Sequence, residues 1–495
     1  MTLTLSPPLL TAWLLLPYLA GFMAALLPRF ARLLVLFCCL ATALVGASAL
    51  LAGPQAGVAL RLLGSTGVSL SVDVLAGWFV LLAALLIAAV LVACWERVVP
   101  GPMALLLLVL LGGLNTAFTA TDLISIYVTL EVVGISAFLL ILRERSDRSL
   151  WVALRYLLVS NTAMTLYLIG AGLVYAQSGS FALGALAQLP LGGAQAFVLL
   201  GLLTKAGVFI AGLWLPRTHA EAPAEISALL SGVVVTAGAV PLLRLAAIDP
   251  RLLAVLQLVA LASALLGVVA ALSASDVKRL LAWSTLSQMG LVLLSPLAGG
   301  AMAFSHGLAK AALFLLAGRL PSRQLDGWRQ RALPLGLQLC LYGASLSIAG
   351  VPPLLGFAAK KQLQDALDPP LAAALVVVSV GTVMVYARLW GAPLPTRAGA
   401  EAFLSPGVRL AAGSLVLALL LVGLWQWPAA AGAGAEALLS SVAVLGAGVL
   451  LQEGLQRLPL APFTTRALRE NLQDLLGNLA LLGSGLLLAF RVGVG

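Results

Sequence analysis

The chain has 495 residues, of which 62% are apolar and only 9% are charged, and its mean hydropathy is +1.09. Soluble domains carry roughly 25% charged residues, so this chain cannot cover the surface of soluble domains. A disordered chain needs low hydrophobicity and high charge, which excludes that class too. The composition predicts a polytopic membrane protein.

The first apolar run, near residues 9–27, has no basic segment before it and predicts an uncleaved span rather than a signal peptide. A bilayer core of about 30 Å needs ~20 apolar residues per helix. Between the second and third spans, the alternation over Leu60–Val72 predicts a short hairpin outside the membrane. Apolar runs of about this helix length occur sixteen times, near 9–27, 31–52, 73–95, 102–119, 122–142, 150–175, 196–215, 222–246, 252–273, 277–296, 300–318, 335–358, 370–391, 409–427, 434–452 and 473–492.

The net charge of +10 would also suit a nucleic-acid-binding protein, but only if the basic residues shared one exposed face. Instead they follow the connections between spans. Connections after even-numbered spans, with the C-terminus, hold four: Arg61, Arg244, Arg251 and Arg491. Connections after odd-numbered spans hold nineteen: Arg29, Arg32, Arg97, Arg143, Arg145, Arg148, Arg217, Lys278, Arg279, Arg319, Arg323, Arg329, Arg331, Arg388, Arg397, Arg409, Arg457, Arg466 and Arg469. Because cytoplasmic loops carry excess Lys and Arg, both termini are predicted outside the cytoplasm, and no nucleic-acid partner is expected.

Cysteine and histidine usage argues against bound cofactors. Cys38, Cys39, Cys94 and Cys340 lie in or beside apolar runs, with no CxxC pair. The chain has two histidines, too few for a multi-histidine metal site. We therefore expect no metal and no redox cofactor in this chain.

Four ionisable side chains stand inside or at the end of predicted spans, where such groups usually mark ion or proton pathways. They are Glu131, Lys205, Lys310 and Lys360. His306 precedes Lys310 by four residues and shares its helical face. Burial makes a lysine release its proton more readily, whereas arginine stays charged. Most arginines lie in the connections, whereas most lysines lie inside the predicted spans. This distribution is typical of a protein that transfers protons.

Structural roles for the same residues stay open. Glu131 and Lys205 could form a static ion pair between two helices. Lys360 and its neighbour could extend to the membrane surface. His306 could make an ordinary polar contact, and His219, in PRTHAEAP, suits a loop-ordering or capping role.

Two spans are interrupted by helix-breaking residues. One has Gly207 and Gly212 shortly after Lys205, and the other has Pro352 and Pro353 shortly before Lys360. Broken helices in corresponding places of two halves are typical of inverted-repeat transporters.

Five stretches together resemble the antiporter-like subunits of complex I (the N and M type) and of Mrp-type multi-subunit cation/proton antiporters (the D type). They cover roughly residues 70–390 and read DLISIYVTLEVVGISAFLL, KAGVFIAGLWLPRTHAEAPAEISALLSG, SASDVKRLLAWSTLSQMGLVL, SHGLAKAALFLLAG and SIAGVPPLLGFAAKKQL.

The resemblance implies an all-α fold with about 14–16 transmembrane helices and two inverted five-helix repeats, each with a broken helix. It divides the chain into N-terminal helices (1–100), a first repeat (101–246), a second repeat (252–391) and C-terminal helices (392–495). It implies an energy-transducing membrane, such as a bacterial inner membrane, other membrane subunits as partners, and protons with Na⁺ or another cation as cargo.

By position, the resemblance implies that Glu131 modulates Lys205, that Lys310 with His306 lies on the central polar axis, and that Lys360 is the terminal basic residue. One departure is Thr236, which stands where the family usually has a lysine, and which cannot carry charge across that step. Arg217, in LPRTH, is closer to the Mrp pattern than to the complex I pattern.

The leading hypothesis is a proton-translocating subunit of a Mrp-type antiporter or complex I-like assembly, with no redox chemistry of its own. Membership of complex I proper is the alternative. A non-pumping scaffold with a degenerate channel is supported by Thr236. A membrane-embedded transferase would have only Glu221, Glu225 and His219 as its polar cluster.

Overall fold

The computed structural model describes residues 6–53, 57–61, 67–96, 101–320, 322–325, 333–391, 405–431, 434–457 and 471–492. These residues form α-helices and one small antiparallel sheet. The helices of the first half are α1 (Pro7–Leu26), α2 (Ala31–Ala52), α3 (Val74–Ala93), α4 (Pro102–Thr119), α5 (Leu123–Ile141), α6 (Asp147–Ser178), α7 (Leu183–Gln188), α8 (Gly193–Ala206), α9 (Leu215–Glu221), α10 (Ala224–Leu229) and α11 (Thr236–Ile248).

The second half continues with the same element type. Its helices are α12 (Pro250–Leu272), α13 (Val277–Leu293), α14 (Gly299–Ala317), α15 (Leu335–Ala349), α16 (Leu355–Asp365), α17 (Pro369–Ala387), α18 (Pro406–Ala431), α19 (Gly434–Arg457) and α20 (Leu472–Val492).

The fold is that of an all-α polytopic membrane protein, as predicted. Thirteen helices of the described chain are long and apolar enough to cross a membrane, and a fourteenth span results if the bent pair Gly193–Ala206 and Phe209–Glu221 is counted as one. The other two predicted spans correspond to shorter helices, α13 with 17 residues and α15 with 15. The last two predicted spans are the helices α19 and α20.

The predicted hairpin is confirmed as a two-stranded sheet of β1 (Val58–Arg61) and β2 (Ser69–Val72), with Val58 opposite Val72. Residues 62–66 between the strands lie outside the described part of the chain. The sheet is held against the helix ends, because Asp122 accepts a hydrogen bond from the Ser69 amide at 2.8 Å.

Two spans lie at the centre of the bundle. Helix α14 is buried along its whole length, and the span over residues 224–248, in which a π-helical turn at Leu230–Val234 joins α10 and α11, is buried from Ile226 to Leu243. Helix α14 packs against α3, α10, α13, α15, α16 and α18. Polar side chains on these two central spans are therefore shielded from lipid by other helices, which is where buried ionisable groups can be tolerated.

The basic residues of the predicted connections are only partly described. Arg97, Arg329, Arg331, Arg397, Arg466 and Arg469 lie outside the described residues. One of the nineteen, Lys278, is misassigned by its sequence pattern: it is the second residue of α13 and is only 4% exposed.

Candidate functional site

Glu131 and Lys205 meet between α5 and α8. The Lys205 amine lies 3.4 Å from Glu131 Oε1 and donates a hydrogen bond to the Leu130 carbonyl at 3.1 Å. The Lys205 side chain is 7% exposed and that of Glu131 is 21% exposed. The two residues predicted to form the modulated pair are therefore in contact.

The position of Lys205 follows from the end of its helix. Helix α8 stops one residue later because Gly207 adopts a left-handed conformation with φ +65°. A cation in the last turn of a helix is favoured by the partial negative charge of the free carbonyl groups there. The indole of Trp214 satisfies one of those carbonyls, since its Nε1 donates to the Thr204 oxygen at 2.9 Å.

At the break the main chain at Gly212 packs directly against the main chain at Gly207. A Cβ atom added at Gly212 would lie 2.3 Å from the carbonyl carbon of Gly207, so only glycine fits there. The helix resumes as α9 at an angle of 45° to α8. The first predicted helix break is thus confirmed.

A small cavity of about 10 Å³ adjoins Lys205. Apolar side chains, among them Leu130 and Val133, form most of its wall. Ser160 also lines it, and the Ser160 hydroxyl has no hydrogen-bond partner in the described structure. The surroundings of the Lys205 amine are therefore mainly apolar, apart from Glu131 and the Leu130 carbonyl.

Thr236 lies on the central span next to this pair. Its hydroxyl donates to the Val233 carbonyl at 2.7 Å, in the turn that follows the π-helical segment. One half-turn later, a Cβ on Gly238 would lie 2.8 Å from Lys205 Cβ, so α11 packs directly on the end of α8. Thr236 is therefore on the helix that packs on α8, and its hydroxyl is bonded to main chain rather than to a charged group.

Lys310 is completely buried on α14. Its amine donates to the Leu281 carbonyl at 2.7 Å and to the Ser284 hydroxyl at 2.5 Å, and Ser284 is bonded to the Tyr386 hydroxyl at 2.6 Å. The amine also lies 5.6 Å from the centre of the Tyr386 ring. Among the described residues, no carboxylate lies within ion-pair distance of it.

His306 lies one turn before Lys310 and is almost fully buried. Its Nε2 is 3.3 Å from the Ser231 carbonyl in the π-helical turn, and its Nδ1 has no partner among the described atoms. One ring nitrogen is therefore available for exchange.

His219 is not in a loop, as its sequence context predicted, but in helix α9, where it is completely buried. Neither ring nitrogen makes a hydrogen bond of good geometry in the described structure, and the carbonyls of Leu215 and Leu230 are near the ring, so its capping or loop-ordering role stays a prediction. Its ring lies 5.9 Å from Trp214 and 6.3 Å from Phe314, between the first broken helix and α14.

Lys360 lies in α16, beyond the second break. Gly350 ends α15 with φ +90°, and the Lys360 amine reaches back to the Ala349 carbonyl at 3.1 Å. A cavity of about 320 Å³ adjoins this lysine and is also lined by Ser379, Ser440 and Ser441. The neighbouring Lys361 pairs instead with Asp365, one turn along the helix.

The predicted residues form three groups rather than one continuous contact. Glu131 and Lys205 touch each other, His306 and Lys310 share α14, and Lys360 stands beside its own cavity. Sequence reasoning did not single out Tyr156, Ser284 and Tyr386, because a hydroxyl in an apolar run carries no positional signal. The burial of Lys278 was also missed.

Comparisons with known proteins agree with this architecture. The family model described as NADH:quinone oxidoreductase/Mrp antiporter, TM, matches residues 120–385. NADH-quinone oxidoreductase subunit N of Desulforudis audaxviator (strain MP104C) is 31% identical over 405 residues, which cover 72% of this chain and 80% of that protein. Hydrogenase-4 component B of Escherichia coli (strain K12) is 30% identical over 356 residues, 60% of this chain and 52% of that one.

Two solved structures share the fold. A chain of the archaeal membrane-bound sulfane sulfur reductase superposes with a TM-score of 0.75 at 20% identity, covering 90% of this chain and 98% of that chain. A chain of the Mrp complex from Dietzia sp. DQ12-45-1b gives a TM-score of 0.74 at 22% identity, covering 95% and 100%. The chain is a multi-pass membrane protein of the NADH:quinone oxidoreductase/Mrp antiporter transmembrane family.

Proposed function

We propose that this chain moves protons across the membrane along its buried lysines, as one subunit of a larger assembly. The contact between Glu131 and Lys205 at a helix break carries the proposal. An ion pair favours the charged form of each partner, so separating the two changes how readily the lysine keeps its proton. A change in their distance would therefore release a proton from Lys205 or capture one.

The acceptors for that proton lie on the central spans. His306 offers a free ring nitrogen, and Lys310 is held by neutral oxygens. A buried ammonium on Lys310 has no carboxylate nearby to offset the cost of its burial. We therefore expect Lys310 to be charged transiently rather than permanently. Lys360, beside its cavity of about 320 Å³, supplies the terminal exchange with water.

The two halves of the proposed path have similar local structures. We propose that residues 101–246 and 252–391 are inverted repeats, with further helices at 1–100 and 392–495. In support, each half contains a broken helix with a left-handed glycine, Gly207 or Gly350, and a lysine whose amine bonds to a main-chain carbonyl.

The assembly is a Mrp-type cation/proton antiporter or a complex I-like complex, with other membrane subunits as partners. Arg217 supports the first, and the relative named NADH-quinone oxidoreductase subunit N supports the second. We further propose a bacterial-type inner membrane with both termini outside the cytoplasm, since the Arg-rich connections predict that orientation. A non-pumping scaffold is the competing function, which Thr236 supports.

Replacing Glu131 by Gln tests the proposal. The amide keeps the size of the side chain but cannot pair with a charged lysine, so proton translocation should fall by roughly 10²-fold, the usual contribution of a positioned proton-transfer group. Translocation is measured as dye-reported proton uptake into inverted vesicles that contain the complete assembly, driven by a Na⁺ gradient or by NADH.

Two further variants complete this test. Glu131→Asp keeps a carboxylate and should retain part of the activity. Glu144→Gln makes the same chemical change at an exposed position just after α5 and should have no effect. Wild-type translocation by Glu131→Gln would leave the scaffold function as the better account.

A further inference from the structure

A charged cavity opens at the face of the bundle where α6 and α13 begin and α9 ends. Two cavities of about 280 and 170 Å³ adjoin here and share Ala220, Glu221 and Arg279 as lining residues. A water molecule occupies about 30 Å³ of liquid, so the space admits several. Arg148, which pairs with Glu221 at 2.5 Å, has 74% of its side chain exposed, so the cavity communicates with the outside. The other lining residues are Asp276, Arg323, Gln324 and Arg217.

Lys278 stands directly behind this cavity. It is only 4% exposed, while its chain neighbours Asp276 and Arg279 both line the cavity. Asp276 is occupied by Arg323, with an Nε–Oδ2 distance of 2.8 Å. The charges that act on Lys278 are those of Arg323, Asp276, Glu221 and Glu225, yet none of the carboxylates of the described chain lies within ion-pair distance of its amine.

The amine of Lys278 is turned toward the helix that carries His219. It donates a hydrogen bond to the carbonyl of Ala222, the residue that ends α9. The Ser227 hydroxyl donates to the His219 carbonyl at 2.7 Å and lies 3.1 Å from the Ala222 carbonyl, which fixes this turn. Lys278 is thereby held between the cavity and the buried histidine.

His219 connects this position to the central axis. Neither ring nitrogen makes a hydrogen bond of good geometry in the described structure, although the carbonyls of Leu215 and Leu230 are near, and the charges of Lys278 and Lys310 both act on the ring. Its ring is 6.3 Å from that of Phe314, one turn beyond Lys310 on α14. A fully buried imidazole that makes no well-formed hydrogen bond and on which two buried lysines act calls for an explanation beyond its packing on Trp214 and Phe314.

We propose that Lys278 exchanges protons between the charged cavity and His219, and so links the water at the Arg-rich face to Lys310. This rests on the proposed proton-translocating function. The Lys278 ammonium gives a proton to the unprotonated ring nitrogen of His219 and becomes a neutral amine, and the imidazolium so formed passes a proton to the neutral amine of Lys310. The Lys278 amine then takes a proton from the water of the cavity, which is replenished from bulk. Lysine is suited to this step because arginine, which supplies the other basic residues of the cavity, does not release its proton.

The alternative is a structural latch, in which the amine merely binds the Ala222 carbonyl at the end of α9. Lys278→Arg separates the two, because arginine keeps the charge and the donors but cannot exchange protons. Lys278→Gln keeps a donor without a charge, and Lys278→His restores a group that titrates. We expect proton uptake by the complete assembly in inverted vesicles to fall roughly 10²-fold for Arg and Gln, and to be partly restored for His with a displaced pH profile.

The controls use the same vesicles, with the amount of assembled complex measured for every variant. Arg29→Met removes an exposed charge from a connection that the sequence assigns to the same side, and it should leave uptake unchanged because Arg29 neither lines the cavity nor acts on Lys278. Wild-type uptake by Lys278→Arg would establish the latch and overturn the proposal. Equal loss for Arg, Gln and His in assembled complexes would also overturn it, since a titrating group would then give no rescue.

Comparison with Glu131→Gln keeps the two proposals apart. If Glu131→Gln is inactive while Lys278→Arg is fully active, only the role of Lys278 fails. If Glu131→Gln transports protons at the wild-type rate, both the proposed function and the role of Lys278 fail.

Discussion

At the scale of single residues, the buried lysines share one arrangement. Each amine donates to a main-chain carbonyl of a neighbouring segment: Lys205 to Leu130, Lys278 to Ala222, Lys310 to Leu281 and Lys360 to Ala349. An ammonium and a neutral amine both have N–H groups, so this bond survives the loss of a proton. Among the described residues only Lys205 of these four adds a carboxylate partner, which makes it the one whose charge another side chain can switch.

Ser284 provides the most specific residue-level prediction. Its hydroxyl accepts from Lys310 at 2.5 Å, and a hydrogen bond to a charged group contributes about 1.5–3 kcal/mol, so Ser284→Ala should slow proton translocation roughly 10- to 100-fold. Ser273→Ala is the matched control, because that hydroxyl only donates to the Ala270 carbonyl at the end of α12. Equal rates for the two variants would show that the hydroxyl of Ser284 does not support the charged lysine.

Sequence reasoning found the residues that contrast with their surroundings. A charge within an apolar run is conspicuous, which is why Glu131, Lys205 and Lys310 were identified. Lys278 was not, because a lysine beside Asp and Arg at the start of a span has the pattern of a loop, and its burial comes from α9 packing over it. Ser284 gave no signal, because its role depends on a contact with a helix 26 residues further along the chain.

At the scale of the elements, helix positions followed from apolar run length and the first break from its glycines. The second break is also present, with α15 ending at Gly350 and α16 starting at Leu355. The sequence did not reveal the π-helical turn at Leu230–Val234, nor that α14 and the middle of this span are enclosed by other helices. Enclosure depends on which helices surround an apolar segment, and an apolar face looks the same toward lipid and toward protein.

The order of the helices gives a prediction about their ends. Three spans, α3 to α5, separate the hairpin residue Arg61 from Arg148 at the start of α6, so the two should lie on opposite sides of the membrane. With cysteine at either position, a membrane-impermeant thiol reagent should reach Arg61→Cys from outside the cell and Arg148→Cys from the cytoplasm. Cys38, Cys39 and Cys94 are buried, and the partly exposed Cys340 is replaced by Ser in every variant to keep background labelling low. Reaction of both from the same side would refute the helix count between them.

At the scale of the whole molecule, the chain shows two kinds of surface. Large apolar side chains are exposed on the outer helices, as lipid or neighbouring subunits require, whereas the ionisable groups of the path lie inside or at cavities. The relatives and the superposed structures are subunits or components of larger complexes, so other membrane subunits are the expected neighbours. Such an arrangement suits a chain that conducts protons while another subunit supplies the driving reaction.

The most direct test is the proton uptake of the assembled complex when Lys205 alone is changed. Lys205→Met removes the charge at the helix break while keeping an unbranched side chain, and Lys205→Arg keeps the charge but not the ability to release a proton. Both variants should lose proton uptake into inverted vesicles by roughly 10²-fold. Arg61→Met, a charge removed from the exposed hairpin, should match wild type. Wild-type uptake by assembled complexes carrying Lys205→Met would contradict the account.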